Sequence, residues 1–107
     1  EYINDLEQKT GVQMVSFGHA GDGNVHLCVV RGGRTQEQWE KDRREVLASA
    51  YDKSSELGGL TSGEHGIGLS KKTYLKKASD PLILQMMKQV KLSLDPKNIL
   101  NPNKIFD

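Results

Sequence analysis

A chain of 107 residues, 36% hydrophobic and 27% charged, suffices for one modest core and is too short to enclose a large cofactor together with a substrate. Fifteen basic residues against 14 acidic ones leave a net charge of +1, without the basic stripe that nucleic-acid binding needs, which argues against a nucleic-acid partner. The longest apolar run falls far short of the roughly 20 residues that span a bilayer, and no charged-then-apolar leader precedes the first helix. The expectation is a soluble, cytoplasmic domain spanning residues 1–107 with no transmembrane segment. Because the chain starts at Glu1, without an initiator methionine and already in helical pattern, it reads as the C-terminal piece of a longer protein.

Residues 1–9 set Tyr2, Ile3 and Leu6 among charges, the pattern of an amphipathic helix that stops before Gly11. Residues 12–17 and 24–31 are rich in β-branched and apolar side chains around a turn-forming cluster, which predicts two antiparallel strands. Asp22-Gly23 between them is a hairpin signal, because a two-residue type I′ turn needs positive φ at both central positions. Cys28, the only cysteine, excludes an internal disulfide and is expected as a buried core thiol.

Thr35 opens the next helix as half of a Thr-x-x-Gln capping box with Gln38; Trp39, Val46, Leu47, Ala50, Tyr51 and Leu57 follow at helical spacing, and Gly58-Gly59 ends it. A short extended piece, 60–62, leads to a second glycine-rich segment, after which Ser70 is expected to cap a short basic helix running to Ala78. Asp80-Pro81 starts the last helix, with Ile83, Met86, Met87, Val90 and Leu94 as its buried stripe, and Asp95-Pro96 stops it. Residues 97–107 form an irregular tail, ordered only by docking on something. The sum is an α+β fold: a small antiparallel sheet with helices packed on one face.

All three histidines fall in the two glycine-rich segments, Gly18-His19-Ala20-Gly21-Asp22-Gly23-Asn24-Val25-His26 and Ser62-Gly63-Glu64-His65-Gly66-Ile67-Gly68. Histidine is the commonest metal ligand and the side chain that titrates nearest neutrality, so acid–base work around a bound metal leads the chemistries open to such a set. A two-residue Asp22-Gly23 loop would pair His19 with His26 on one sheet face, close enough to share an ion, with Val15, Phe17, Cys28 and Val30 as an apolar floor. The alternative is a pair of hairpin histidines in ordinary hydrogen bonds. Asp22 is read as a turn former, while Asn24 either caps the turn or touches a ligand. Glu64 supplies a third protein ligand and leaves a position open, the pattern of a catalytic site, with His65 free to act as base; the pair also fits a plain surface loop. Gly-x-x-Gly-x-Gly occurs in both segments, but the spacing is the reverse of the dinucleotide fingerprint, and a phosphate-loop reading is not supported.

The ordered set of the first segment, then Gly58-Gly59-Leu60-Thr61-Ser62-Gly63-Glu64-His65-Gly66-Ile67-Gly68, then Leu94-Asp95-Pro96-Lys97-Asn98-Ile99-Leu100-Asn101-Pro102-Asn103-Lys104-Ile105-Phe106, resembles the C-terminal domain of FAD-linked 2-hydroxy acid oxidases and dehydrogenases, of the glycolate oxidase and D-lactate dehydrogenase type. The resemblance implies a cap over a flavin held mainly by the parent's own N-terminal FAD domain. It matches His19, His26 and Glu64 to ligands of a divalent metal (zinc, manganese or iron), His65 to the catalytic base, and Asn101 to a segment returning towards the FAD. The implied reaction oxidises a small 2-hydroxy acid, glycolate or D-lactate in type, to the 2-oxo acid: the metal acidifies the hydroxyl, His65 takes its proton, and the C2 hydride passes to the flavin. Asn103 stands where such sequences often have Gly, a mild departure because Asn tolerates positive φ. A clamp for the substrate carboxylate is expected upstream of Glu1, with Arg31 and Arg34 as weaker candidates. Partners implied are other oxidase subunits or an electron acceptor, so the location is cytoplasmic or peripheral to the inner membrane through such subunits. The isolated piece is expected to be inactive. Two other classes stay open from the residues themselves, a stand-alone metal-dependent hydrolase and a non-catalytic α+β binding module.

Overall fold

The computed structural model describes residues 1–62 and 64–107. In chain order these form α1 (Tyr2–Thr10), β1 (Met14–His19), β2 (Asn24–Val29), α2 (Gln36–Glu56), α3 (Lys72–Ala78) and α4 (Pro81–Leu94), an α+β chain whose sheet is the antiparallel pair of β1 and β2. It divides into two compact units, Glu1–Lys53 and Ser54–Asp107.

The first unit has its core where α1, the start of the ribbon and α2 meet. Leu6, Val12, Met14 and Val46 are buried there, and Tyr2, Ile3, Leu27 and Val29 pack against them. α1 delivers Tyr2, Ile3 and Leu6 from one helical face and ends at Gly11, whose N–H donates to the Glu7 carbonyl at 2.8 Å. The predicted capping box forms: Gln38 N–H donates to Thr35 Oγ1 at 3.3 Å, and Thr35 N–H donates to Gln38 Oε1 at 3.4 Å. Along α2, Val46 is buried and Trp39, Leu47, Ala50 and Tyr51 are half-buried, whereas Leu57, beyond the helix end, is exposed.

The strand register differs from the expected one by two residues. His19 pairs with Asn24, Phe17 with His26 and Val15 with Cys28. A type I′ turn would need Asp22 as well as Gly23 at positive φ, and only Gly23 adopts it, at 64°. The chain instead turns through Ala20–Gly23, with Asp22 N–H donating to the His19 carbonyl at 3.1 Å. Strand side chains alternate with period two, so a slip of two leaves every residue on its expected face.

In the second unit α4 begins as predicted, Asp80 accepting the Leu82 N–H at 2.7 Å with Pro81 in the first turn. Other expectations need correction. Residues 60–62 form no strand, and α3 begins at Lys72 with Lys71, not Ser70, at its N-cap position and no side-chain cap. The apolar stripe of α4 is also not buried: Ile83, Met86, Met87, Val90 and Leu94 are all exposed. The reason lies in what covers the helix. The tail packs on its opposite side, where Lys88, Lys91 and Leu92 line a small pocket with Asn98, Asn103, Lys104, Phe106 and Asp107.

That tail is irregular and docked, as expected, with Asn98, Asn101, Asn103 and Ile105 all at positive φ. Asn103, at φ 60°, takes without difficulty the conformation that glycine would have supplied. The anchor is Asp95, buried at 5% exposure, whose carboxylate accepts from Lys91 Nζ and, at 3.0 Å each, from the N–H groups of Ile99 and Leu100. The Lys91 hydrogen bond is the largest influence on this carboxyl and holds it below the ordinary aspartate value, against the opposing effect of burial. A lowered folded-state value means that the stabilisation is complete above the ordinary aspartate value and is lost as pH falls beneath it. Amide protection at Ile99 and Leu100 is therefore expected to stay level from neutral pH down to the ordinary carboxylate range and to collapse below it. Hydrogen exchange followed by NMR checks this, and a loss beginning near neutrality would contradict it.

Candidate functional site

Alternation along the ribbon separates two faces. Met14, Leu27 and Val29 turn to the core, which puts Val15, Phe17, His19, Asn24, His26 and Cys28 together on the other face. The predicted direct pairing of His19 with His26 does not form, but the two share a face and meet diagonally: their ring centroids lie 5.5 Å apart with the planes at 89°. Phe17, directly opposite His26, lies against that ring with centroids 5.1 Å apart and the planes tilted by 33°. Two imidazoles edge to face at this separation suit a common ion at the roughly 2.0–2.1 Å of zinc–nitrogen bonds.

The apolar floor expected beneath the rings is not a sealed one. Val15 and Phe17 are 47% and 59% exposed, Val30 lies past the end of β2, and Cys28, expected in the core, is exposed. Cys28 sits opposite Val15, on the face turned away from the packed helices, so the apolar run of β2 does not bury it.

Gly18, immediately before His19, is required by contact rather than by torsion. A Cβ there would stand 2.0 Å from the backbone oxygen of Asn24, which cannot yield without moving the opposite strand. Gly18→Ala is expected to displace Asn24 and with it the His19–His26 pair. In a metal titration its affinity should fall at least tenfold, by roughly the 10–100-fold typical of disturbed ligand support. Unchanged affinity would show that the strand gives way elsewhere.

Glu64 and His65 lie in the second unit, between Ser62 and Gly66; Gly63 is outside the described residues. Ser62 Oγ donates to the Gly66 carbonyl at 2.9 Å across their base, and Lys71 Nζ donates to Ser62 Oγ at 3.4 Å. Gly66 and Gly68 take φ of 69° and 56°, open to glycine at no steric cost. Glu64 Oε1 is 3.6 Å from His65 Nε2, and both side chains are largely exposed. The loop thus presents an acceptor and a proton carrier side by side.

Asn101 is exposed, at φ 45°, in the docked tail. Arg34 is committed inside the first unit, donating to Asp42 Oδ2 at 2.8 Å and to the Gly11 carbonyl at 2.5 Å, while Arg31 Nε donates to the Arg34 carbonyl at 3.2 Å. Neither is poised as a carboxylate clamp by these contacts. The anchoring role of Asp95 was missed in the sequence because Asp-Pro reads first as a helix stop. The signal was a carboxylate one turn after Lys91 and just before a run rich in asparagine.

Residues 1–105 match the model of the family described as FAD linked oxidases, C-terminal domain. D-lactate dehydrogenase of Archaeoglobus fulgidus is 43% identical over 102 residues, 95% of this chain and 22% of that protein. Glycolate oxidase subunit GlcD of Bacillus subtilis is 39% identical over 104 residues, 97% of this chain and 22% of that one. Mitochondrial D-2-hydroxyglutarate dehydrogenase of Rattus norvegicus is 37% identical over 108 residues, 97% of this chain and 19% of that protein. The chain therefore spans about a fifth of the length of these relatives. No helix among the described residues is long and apolar enough to cross a membrane. With a family match over nearly its whole length, this chain belongs to the FAD-linked oxidases, whose C-terminal domain its sequence carries.

Proposed function

We propose that this chain is the substrate-side part of an FAD-dependent oxidoreductase that oxidises a 2-hydroxy acid, of the glycolate or D-lactate type, to the 2-oxo acid. The observation that carries the reading is the His19–His26 pair, 5.5 Å apart on an open sheet face, in a chain whose relatives are named for D-lactate, glycolate and D-2-hydroxyglutarate. All three are 2-hydroxy acids, and their oxidation removes one proton and one hydride.

In this reading His19, His26 and Glu64 hold a divalent cation, zinc, manganese or iron, and leave a position open to the substrate. When bound, the ion supplies Lewis acidity to the substrate oxygens and the FAD supplies the hydride acceptor. The residues of this chain do the rest. Phe17 packs against His26 in a tilted ring contact and would restrict the movement of a ligand ring. Glu64 and His65, adjacent in one loop, divide the work, the carboxylate turning to the cation and the imidazole taking the hydroxyl proton. Asn101, exposed in the docked tail, would lie towards the FAD, which the parent's N-terminal domain would mainly hold. Electrons leave to an acceptor or partner subunit, in the cytoplasm or at the inner membrane surface. No observation favours a hydrolase or a binding module over this reading.

The test is anaerobic mixing of the full-length flavoprotein carrying this sequence with D-lactate, glycolate and D-2-hydroxyglutarate in turn. Bleaching of the oxidised flavin by at least one of them is expected. A flavin that all three leave oxidised, in protein replete with divalent metal, would refute the proposal.

A further inference from the structure

Three successive carbonyls follow His65, and each receives a donor. Gly66 takes Ser62 Oγ at 2.9 Å, Ile67 takes Lys71 N–H at 3.3 Å, and Gly68 takes Ile105 N–H at 2.8 Å. The first two donors are local. The third comes from the far end of the chain, so the Gly66-Ile67-Gly68 stretch, with two residues at positive φ, is tied to the rest of its unit by the tail.

The tail does not hold itself in place. Four of its non-glycine residues, Asn98, Asn101, Asn103 and Ile105, are left-handed, and for a β-branched side chain such as Ile105 that conformation is strongly disfavoured. It persists because the surroundings over-determine it. Asp95 gathers Ile99 N–H, Leu100 N–H and Lys91 Nζ, and Lys91 Nζ also donates to the Leu100 carbonyl at 2.8 Å. Farther on, Lys72 reaches the Asn103 carbonyl at 3.4 Å and Asp107 Oδ1 at 2.5 Å, and Lys88 reaches the Asp107 carbonyl at 2.6 Å. Asp95 is the one buried charged residue among those described, and it sits where the tail leaves α4.

We propose that Asp95 is a positioning residue for His65: its carboxylate sets the course of the tail, and the tail, through Ile105 N–H on the Gly68 carbonyl, fixes the loop from which the imidazole reaches substrate. The inference rests on the reading of His65 as the base. A buried carboxylate serving only to stabilise α4 would alter the yield or melting of the protein and leave turnover per flavin unchanged. A positioning carboxylate alters turnover, and does so only while His65 is present.

The experiment is a double-mutant cycle in the full-length flavoprotein, with Asp95→Asn and His65→Ala singly and together, read as turnover per bound flavin. Asparagine keeps the shape and one acceptor oxygen while losing the charge that pairs with Lys91. Asp95→Asn is expected to lower turnover about tenfold, the scale of a sub-ångström misplacement of a catalytic group, with KM nearly unchanged. On the His65→Ala background the same change should have no further effect. A full effect of His65→Ala with equal losses from Asp95→Asn in both backgrounds, or with none in either, overturns this inference alone. No effect of His65→Ala overturns the reading of the base beneath it. Should Asp95→Asn fail to fold, a chain ending at Asn103 removes the Ile105 donor and keeps Asp95; the same tenfold loss is expected, and normal turnover per flavin overturns the inference.

Discussion

Replacing His65 by alanine in the full-length flavoprotein is expected to lower turnover by about 10²–10⁴-fold, the range for loss of a general base, while the content of divalent metal stays that of the wild type. The expectation follows from where the loop puts the two polar groups. Glu64 and His65 are neighbours with their functional atoms 3.6 Å apart, so one can meet a cation while the other remains a proton acceptor. His65 is also largely exposed, which lets a base exchange its proton with water between turnovers. Steady-state kinetics and metal analysis on one preparation are enough. Loss of metal along with activity would mean that the imidazole is the ligand and the carboxylate the base.

The second large effect is expected at the ribbon. His26→Ala removes one of the two facing imidazoles and the ring against which Phe17 packs, and the affinity for zinc or manganese should fall by more than about 100-fold, since loss of an outer support alone already costs 10–100-fold. Titration calorimetry of the wild type and the variant measures it directly. Equal affinities would reduce the His19–His26 contact to an edge-to-face ring pair with no ion between. The fall should exceed that of Gly18→Ala, which displaces the donors but leaves both in the chain. Reversal of that order would place the metal on groups other than the histidines.

Much of this architecture was legible in the residues because it is governed by short-range rules. Thr35 and Gln38 cap the long helix as their spacing requires, Asp80-Pro81 opens the last one, and Gly11 closes the first. The face shared by His19 and His26 was also legible, although the turn was not. Period-two alternation is indifferent to a slip of two, so the loop through Ala20–Gly23 changed the partners and spared the site.

Local chemistry thus determined the helix ends, the hairpin and the residues able to act together on one strand face. The fold of each unit decided what spacing does not record: that Cys28 lies open, that the apolar side of α4 is left uncovered because the tail takes the opposite side, that Asp95 anchors that tail to the end of α4, and that Ile105 joins it to the segment after His65. Caps and turns close hydrogen bonds among residues a few positions apart, so their geometry is encoded where they occur. Burial and the docking of a left-handed tail depend on groups distant in sequence, and those are brought to their partners only when the chain has packed.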